Sequence, residues 1–273
     1  MWRRFRRNRL AIPGGALALV VVVVALCAPW LAPYDPTAQD LNAVIQPPSH
    51  THPLGTDELG RDLLSRIIYG ARTSLLIAVV VLAIAFGVGT AMGAAGGWYG
   101  SPLDDVVMRI VDTLMAFPSI LLALAIVAAL GPGVFNVMLA VGVAAVPPFA
   151  RVARAAVLSL RSETYVEAAQ AIGVGNVRIV VRHLLPNSLG VLIVQATLLV
   201  ATAIQTAAGL GFLGLGAQPP VAEWGTMLSD SRVHMRIAPY LVATPGLAIF
   251  ITTMAFNLLG DGLRDALDVR LRP

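Results

Sequence analysis

Five uncharged stretches divide the chain, and their lengths indicate how often it crosses a membrane. Three of them, residues 10–33, 73–103 and 237–260, exceed the roughly 20 apolar residues that a membrane-spanning helix needs. The other two, residues 113–150 and 184–222, are about twice as long as one span requires. The pattern predicts an all-α integral membrane protein with almost no soluble domain.

The two long stretches cannot each be one span, because a helix rises only about 1.5 Å per residue. The Gly-Pro-Gly sequence at 131–133 is the obvious break in the first, which then gives helices at about 113–130 and 135–160. The second is expected to hold one helix, at about 188–208, followed by a Gly- and Pro-rich segment. The apolar run at 10–33 is too long for a cleaved signal peptide, so we expect a retained helix. The prediction is six transmembrane helices.

The composition agrees with this interpretation. Hydrophobic residues make up 57% of the chain and charged residues 12%, with a mean hydropathy of +0.79. A soluble domain is about 25% charged, so this chain has too little polar surface to cover a soluble core. Its one cysteine, Cys27, excludes an intramolecular disulfide and a metal site made of cysteines alone.

The distribution of arginine predicts the orientation. All 19 basic residues are arginines, and a cytoplasmic N-terminus puts fourteen of them inside and five outside. The fourteen are Arg3, Arg4, Arg6, Arg7, Arg9, Arg109, Arg151, Arg154, Arg161, Arg178, Arg182, Arg264, Arg270 and Arg272; the five are Arg61, Arg66, Arg72, Arg232 and Arg236. Both termini are therefore predicted to be cytoplasmic, with residues 34–69 outside.

The polar connection between the fourth and fifth spans, residues 162–186, contains the most informative local signals. Thr164 and Glu167 have the spacing of a capping box, and Gly173 can end the short helix that follows. Asn176 is expected to cap a second short helix, which Pro186 ends. Three small side chains would let the first helix pack closely in a partner's groove: Ala168, Ala169 and Ala171. An ordinary amphipathic connector is the alternative.

The sequence of this connection resembles the EAA loop of ABC importer membrane subunits. The resemblance lies in Glu167-Ala168-Ala169, in Gly173 after three intervening residues, and in the His-Leu-Leu-Pro run at 183–186. Further segments resemble the C-type permease of the peptide/nickel uptake family, which includes dipeptide and oligopeptide permeases. These segments are residues 53–62, 211–216 and 256–265, and they occur in the family's order.

The resemblance implies a type I ABC importer fold with six transmembrane helices. It implies an N-terminal helix and extracytoplasmic loop at 1–70, and a five-helix core at 71–273 that contains the cytoplasmic EAA loop at 162–186. The expected partners are a second permease subunit in a heterodimer, two ATPase domains that hold ATP and Mg, and an extracytoplasmic substrate-binding protein in a bacterial plasma membrane. The expected solutes are di- and oligopeptides; nickel complexes, glutathione and haem remain alternatives.

The resemblance also assigns candidate site residues. In the family the EAA helix docks on the ATPase, and the positions that match are Glu167, Ala168, Ala169 and Gly173, with Arg178 and Arg182 as weaker candidates. The 34–69 segment is implied to cap the outer mouth and to meet the binding protein. Its charges at i, i+1, i+4 and i+5 are expected to form ion pairs on an interfacial helix: Asp57, Glu58, Arg61 and Asp62. A metal site built from His50, His52 and Asp57 is a weaker alternative.

Other functions fit the sequence less well. The chain has no lysine and so cannot supply the lysine of a P-loop, which means that any ATP must be hydrolysed by another chain. The resemblance implies a transport subunit and not an enzyme. An intramembrane hydrolase needs paired acids or a serine with a base inside the spans, and a secondary transporter usually has buried ionisable residues near the midplane. The predicted spans offer neither, although Asp112 lies at the inner end of the third, where it could line a pathway or pair with Arg109.

Two glycine patterns are interpreted as structural. The G-x-G-x-x-G match at 209–214 follows a membrane helix instead of a strand, which excludes a dinucleotide-binding loop. Small residues also recur every fourth position within the second span, a spacing that allows close helix packing. They are Ala85, Gly89, Gly93 and Gly97.

Overall fold

The computed structural model describes residues 11–267, and within that range it is built from helices, with one isolated β-bridge between Thr56 and Asp62. The predicted all-α fold is confirmed. Seven of the arginines used to predict the orientation lie outside the described residues: Arg3, Arg4, Arg6, Arg7, Arg9, Arg270 and Arg272.

The helices fall into long apolar segments and short connecting ones. In chain order they are α1 (Ala11–Leu26), α2 (Ala28–Leu31), α3 (Leu63–Ile84), α4 (Thr90–Tyr99), α5 (Leu103–Met115), α6 (Ser119–Leu130), α7 (Val134–Arg161), α8 (Thr164–Ala171), α9 (Asn176–Ile179), α10 (Leu185–Phe212), α11 (Trp224–Ser231) and α12 (Tyr240–Leu267). A π-helical turn at Ala85–Gly89 joins α3 to α4, and another at Val180–Leu184 joins α9 to α10. Each joined pair is one continuous helix of 37 residues.

Four helices in the described range are long and apolar enough to span a membrane: Leu63–Tyr99, Val134–Arg161, Asn176–Phe212 and Tyr240–Leu267. The pair α5 and α6 counts as a fifth span only if its 88° bend is included within one crossing. The apolar helix α1, at 16 residues, is shorter than a full span. The described residues therefore contain six apolar helical segments, as predicted, if the bent pair is taken as one. Only four of the six are single helices long enough to span a membrane.

The third predicted span differs most from the structure. The break at 131–133 is confirmed between α6 and α7, where Gly131 and Gly133 have φ values of 92° and 143°. However, the segment expected to be one helix at 113–130 is bent at residues 116–118. Pro118 explains the bend, since the residue before a proline is disfavoured in the helical conformation.

The main core lies where α7 packs against α3, α6 and α10. Phe149 of α7, Ile77 of α3 and Ile204 of α10 are fully buried there. The close packing predicted for the small-residue pattern is confirmed, because α4 lies directly against α7. A Cβ atom on Gly93 would lie 2.1 Å from the carbonyl oxygen of Ala150, so only glycine permits this approach.

Candidate functional site

The 162–186 connection folds onto a small core of its own at one end of the Leu63–Tyr99 helix. Apolar side chains of α8, α9 and the π-helical turn pack against the end of α4 and against α7. The buried members of this cluster are Ala94, Trp98, Val157, Val166, Ala169, Ile179 and Leu184. The connection is therefore held in a fixed position relative to the bundle.

Gly173 ends α8 in the conformation that the sequence predicts. Its φ of +79° lies in the left-handed region, which favours glycine. The Val174 N–H donates to the carbonyl oxygen of Ala169 at 3.0 Å, and the Gly173 N–H donates to that of Gln170 at 2.9 Å. A Cβ atom here would meet nothing within 4 Å, so the requirement for glycine is conformational and not steric.

The predicted capping box is wrong. The N-cap of α8 is Glu163, whose extended backbone places its carbonyl oxygen to accept the N–H groups of Val166 at 2.8 Å and Glu167 at 3.2 Å. Because the helix begins one residue earlier than the box requires, Thr164 is already helical and no side chain caps the end. Likewise Gly175, not Asn176, is the N-cap of α9.

Pro186 does not end the second short helix, as had been expected. It lies in the first turn of α10, and the π-helical turn Val180–Leu184 carries the helix through from α9. A proline lacks the N–H that would close the i→i−4 bond, and a π-turn is a local way to accommodate that loss. The connection thus passes into the span as one continuous helix.

The predicted coupling residues do not all face outward. Five of them are exposed: Glu167, Ala168, Gly173, Arg178 and Arg182. Ala169 is only 7% exposed and packs in the connection's own core, so it is not available to a partner's groove as expected. Three exposed apolar side chains nearby were not predicted: Ile172 at 81%, Val177 at 68% and Val181 at 56%. The sequence signal that could have identified them is the presence of large apolar residues in an otherwise polar connection.

At the other end of the same long helix, the 34–69 segment buries four charged side chains: Asp57, Arg61, Asp62 and Arg66. Asp57 Oδ2 lies 2.6 Å from Arg61 Nε and 3.3 Å from Arg66 Nε, and Glu58 accepts a hydrogen bond from Arg61 at 3.0 Å. The side chains of Arg61 and Asp57 are only 4% and 6% exposed. The predicted ion pairs of Asp57 and Glu58 with Arg61 are confirmed, and the Asp57–Arg61 pair is buried within the chain, whereas Asp62 lies against His52 instead of an arginine.

These charges also lie on a turn and not on the predicted helix. The Asp57 carboxylate accepts the backbone N–H groups of Leu59 at 3.0 Å and Arg61 at 2.9 Å, which is a local alternative to a helix. Gly60 has a φ of +71°, and a Cβ atom on it would lie 1.8 Å from the carbonyl oxygen of Asp40. The close approach of Asp40 therefore fixes a glycine turn here.

Asp62 caps helix α3 from the end of this turn. One carboxylate oxygen accepts the N–H of Ser65 at 2.8 Å and its hydroxyl at 2.7 Å, and the other lies 2.9 Å from His52 Nδ1. The ring of Tyr34 lies 4.9 Å from that of His52. Residues 11–267 contain no group of three histidine, cysteine or acidic side chains placed to share a metal ion, so the alternative metal site is not supported.

Two features directly after the Gly- and Pro-rich segment were not predicted. Glu223 is buried and caps α11 by accepting the N–H groups of Gly225 at 2.8 Å and Thr226 at 3.0 Å. Burial raises the pKa of the Glu223 carboxyl, while these two hydrogen bonds oppose the rise. The indole N–H of Trp224 donates to the carbonyl oxygen of Ile67 at 3.1 Å and so ties α11 to α3.

Asp112 also has a different partner from the one proposed. Its carboxylate lies 2.6 Å from the Arg151 guanidinium of α7, and not against Arg109. A second pair joins the same helices, since Arg154 makes two hydrogen bonds to Asp104 at 2.6 and 2.5 Å. Helix α5 is thus attached to α7 by two ion pairs.

Comparison with known families and curated proteins gives concordant matches. The family described as "Binding-protein-dependent transport system inner membrane component" matches residues 83–273, and "N-terminal TM domain of oligopeptide transport permease C" matches residues 1–48. Two similar relatives are named "Glutathione transport system permease protein GsiD", from Escherichia coli O6:K15:H31 and Shigella boydii serotype 4. Each is 46% identical over 272 residues, covering 99% of this chain and 90% of the relative.

Two solved structures share the fold. Both are inward-facing crystal forms of the MetNI methionine ABC transporter, with TM-scores of 0.60 and 0.61 and identities of 22% and 20%. The matches cover 74% and 76% of this chain and 96% and 98% of the solved chains. At this identity the likeness shows the fold alone.

Proposed function

The chain belongs to the family of binding-protein-dependent transport system inner membrane components, and from that premise we propose that it forms half of the translocation pathway of an ATP-driven peptide importer. It is a multi-pass inner membrane protein and a permease subunit of an ABC importer. The other half would come from a second permease subunit, in a heterodimer with this one.

The observation that carries the proposal is the exposed surface of the 162–186 connection. Ile172, Val177 and Val181 are large apolar side chains exposed to solvent beside Arg178 and Arg182. The small core beneath them holds this surface in place, so a force applied there reaches α7 and α10 directly. Such a surface suits docking of an ATPase domain, with Glu167, Ala168 and Gly173 at its edge.

The partners of this assembly supply the energy and the solute. Two ATPase domains would hold ATP and Mg, since this chain has no lysine for a P-loop and no enzyme activity is proposed for it. A substrate-binding protein would deliver solute at the end that carries the 34–69 segment. The proposed division is an N-terminal helix and outer loop at 1–70 and a transmembrane core at 71–273.

Peptides are the proposed solutes. The name of the 46% identical relatives refers to glutathione, which is itself a tripeptide and is therefore the first probe to use. Di- and oligopeptides of ordinary linkage remain the broader class, and nickel complexes and haem are the competing ones. Uptake into proteoliposomes with glutathione, dialanine, a nickel complex and haem as separate probes ranks these classes.

The proposed orientation places both termini in the cytoplasm and the 34–69 segment outside. It rests on the arginine distribution, and Ser49 and Ser162 offer exposed positions at the two ends. In a Cys27→Ala background, a membrane-impermeant thiol reagent added outside is expected to label Ser49→Cys. Protection of Ser49→Cys together with labelling of Ser162→Cys would reverse the orientation.

The assembly itself tests the function. Co-expression with the second permease, the ATPases and the binding protein is expected to give a stable complex that takes up glutathione or dialanine only when ATP is present. ATP hydrolysis by this complex should rise when loaded binding protein is added. Solute movement down a gradient through the purified single chain, with ordinary transporter kinetics, would contradict the proposal.

A further inference from the structure

Helix α10 has an exposed face, here called its polar face, on which Gln195, Thr202 and Gln205 lie among apolar side chains. On α12 the exposed large side chains include Leu247, Phe250 and Met254, and on α1 they include Leu19 and Val23, as expected for surfaces that meet lipid. On α10 the positions that repeat at steps of four and three residues are all at least partly exposed. They are Val191, Gln195, Leu198, Thr202, Gln205, Gly209 and Phe212.

The polar residues of this face lie deep within the span. Gln195 lies about 15 Å along the helix from its start at Leu185, and Thr202 lies about 26 Å along it. Polar side chains at such depth face a bundle interior or a water-filled cavity, because exposure to hydrocarbon is unfavourable. The polar face of α10 is therefore not a lipid-facing surface.

A cavity of about 320 Å³ lies beside this face, between α10, α7 and α6. Four polar side chains line it: Ser119, Gln195, Thr202 and Thr206. The remaining lining is apolar and mostly small, and includes Ala144, Ala145 and Pro148 of α7. The lining contains no charged side chain.

The hydrogen-bonding capacity of the cavity is only partly used. The hydroxyl of Thr202 donates to the carbonyl oxygen of Leu199 at 3.0 Å, and that of Thr206 donates to Thr202 at 2.8 Å, so both oxygens are left as acceptors. Gln195 and Ser119 make no side-chain hydrogen bond to another described residue. An amide and a hydroxyl group are therefore free to bind a solute as donors and acceptors.

One ion pair lies about one helical turn from the cavity along α7. Arg151 follows Pro148 by three residues on α7 and pairs with Asp112 at 2.6 Å. The pair is neutral overall, so it adds no attraction for a solute of either charge. Free metal ions would need carboxylate or imidazole ligands, which this lining lacks.

We propose that this cavity is a transit site that binds the amide groups of a peptide through Gln195, Thr202 and Ser119 while the peptide passes through the membrane. The proposal rests on the importer function proposed above and narrows it. Hydrogen bonds to peptide groups do not depend on side-chain charge, so the site accepts peptides of different sequence and disfavours nickel complexes and haem.

The test uses the complete transporter in proteoliposomes, with glutathione and dialanine as probes and the ratio of uptake to ATP hydrolysed as the readout. Gln195→Leu removes the free amide, and Thr202→Val removes an acceptor without changing size. Thr197→Val is the matched control, because its hydroxyl donates to Ile193 at 2.8 Å in the same way but does not line the cavity.

The ratio of uptake to ATP hydrolysed is expected to fall roughly fivefold for Gln195→Leu, because one hydrogen bond to the peptide is lost. It should fall by less for Thr202→Val. Thr197→Val should leave the ratio unchanged. Equal ratios in all three variants and the wild type would overturn the transit site while leaving the importer function intact. Absence of ATP-dependent uptake by the wild-type complex would instead contradict the importer function.

A second measurement separates a transit site from a packing surface. In the Cys27→Ala background, Thr202→Cys is expected to react with a small water-soluble thiol reagent, and loaded binding protein should slow that reaction as peptide enters. If Gln195→Leu and Thr202→Val release the second permease subunit from the purified complex, the polar face is a subunit contact and the proposal is wrong.

Discussion

The 34–69 segment and the 162–186 connection lie at opposite ends of one long helix and use their charges in opposite ways. In the first, Asp57, Arg61 and Arg66 are buried and paired within the chain. In the second, Glu167, Arg178 and Arg182 are exposed and form no ion pair with another described residue.

The difference has a physical basis. A buried charge must be paired inside the fold, so the group formed by Asp57, Arg61 and Arg66 is satisfied without another chain. The 162–186 connection instead combines unpaired charges with exposed apolar side chains, which is the composition of a surface that another protein covers. We therefore expect substitutions in the first region to affect folding, and those in the second to affect assembly and coupling.

The largest effect is expected from Asp57→Ala. This change leaves both Arg61 and Arg66 buried without their shared carboxylate, which costs about 3–5 kcal/mol of folding free energy. Thermal unfolding of the purified complex should show it as a clear drop in the midpoint. Glu58→Ala is the control, because Glu58 is more exposed and its loss should cost about 1 kcal/mol or less. Equal effects of the two would contradict the buried-pair account.

Ile172→Ser is expected to separate stability from assembly. Ile172 is almost fully exposed, so the folding free energy should change by about 0.5 kcal/mol or less. If a partner covers this side chain, the substitution removes about 1.5–3 kcal/mol of binding free energy. The dissociation constant of the ATPase should then rise by roughly tenfold or more. Val233→Ser, an exposed apolar position at the other end of the bundle, should not weaken ATPase binding. An equal effect of both variants would contradict the assignment of the docking surface.

Glu167→Ala should have the smallest total effect of the three substitutions. No capping box forms, so Glu167 contributes only through its position in the first turn of α8, worth about 0.3–1 kcal/mol. A double-mutant cycle with Thr164→Ala, read by thermal unfolding, should show no coupling between the two side chains. A coupling energy above about 0.5 kcal/mol would mean that the capping box forms after all.

Features set by local sequence could be predicted, and several are confirmed. Gly131 and Gly133 mark the break between α6 and α7 because both need positive φ values. Gly173 ends α8 for the same reason. The spacing of Gly93 and its neighbours predicts close packing, and the structure supplies the partner helix α7. In each case the signal lies within a few residues of the feature.

Features set by distant contacts could not be predicted in this way. The turn at Gly60 depends on the carbonyl of Asp40, twenty residues earlier, so the i, i+4 spacing of Asp57 and Arg61 suggested a helix wrongly. Ala169 is buried because α8 belongs to one apolar cluster with residues of α4 and α7 that are distant in sequence, which no local pattern reveals. The bend before α6 is different, since Pro118 was a visible signal that the length of the apolar run obscured.

The central claim is that the 162–186 connection transmits the action of an ATPase, and Gly173→Val tests it most directly. Valine at a φ of +79° should cost about 1–3 kcal/mol of local strain, and the open space around the position excludes a steric clash as the cause. The measurement is ATP hydrolysis in membrane vesicles with and without loaded binding protein. We predict that stimulation by the loaded binding protein and solute uptake both fall, while the solute affinity of the binding protein is unchanged. Full stimulation and full uptake in Gly173→Val would show that the connection is only a linker between two spans.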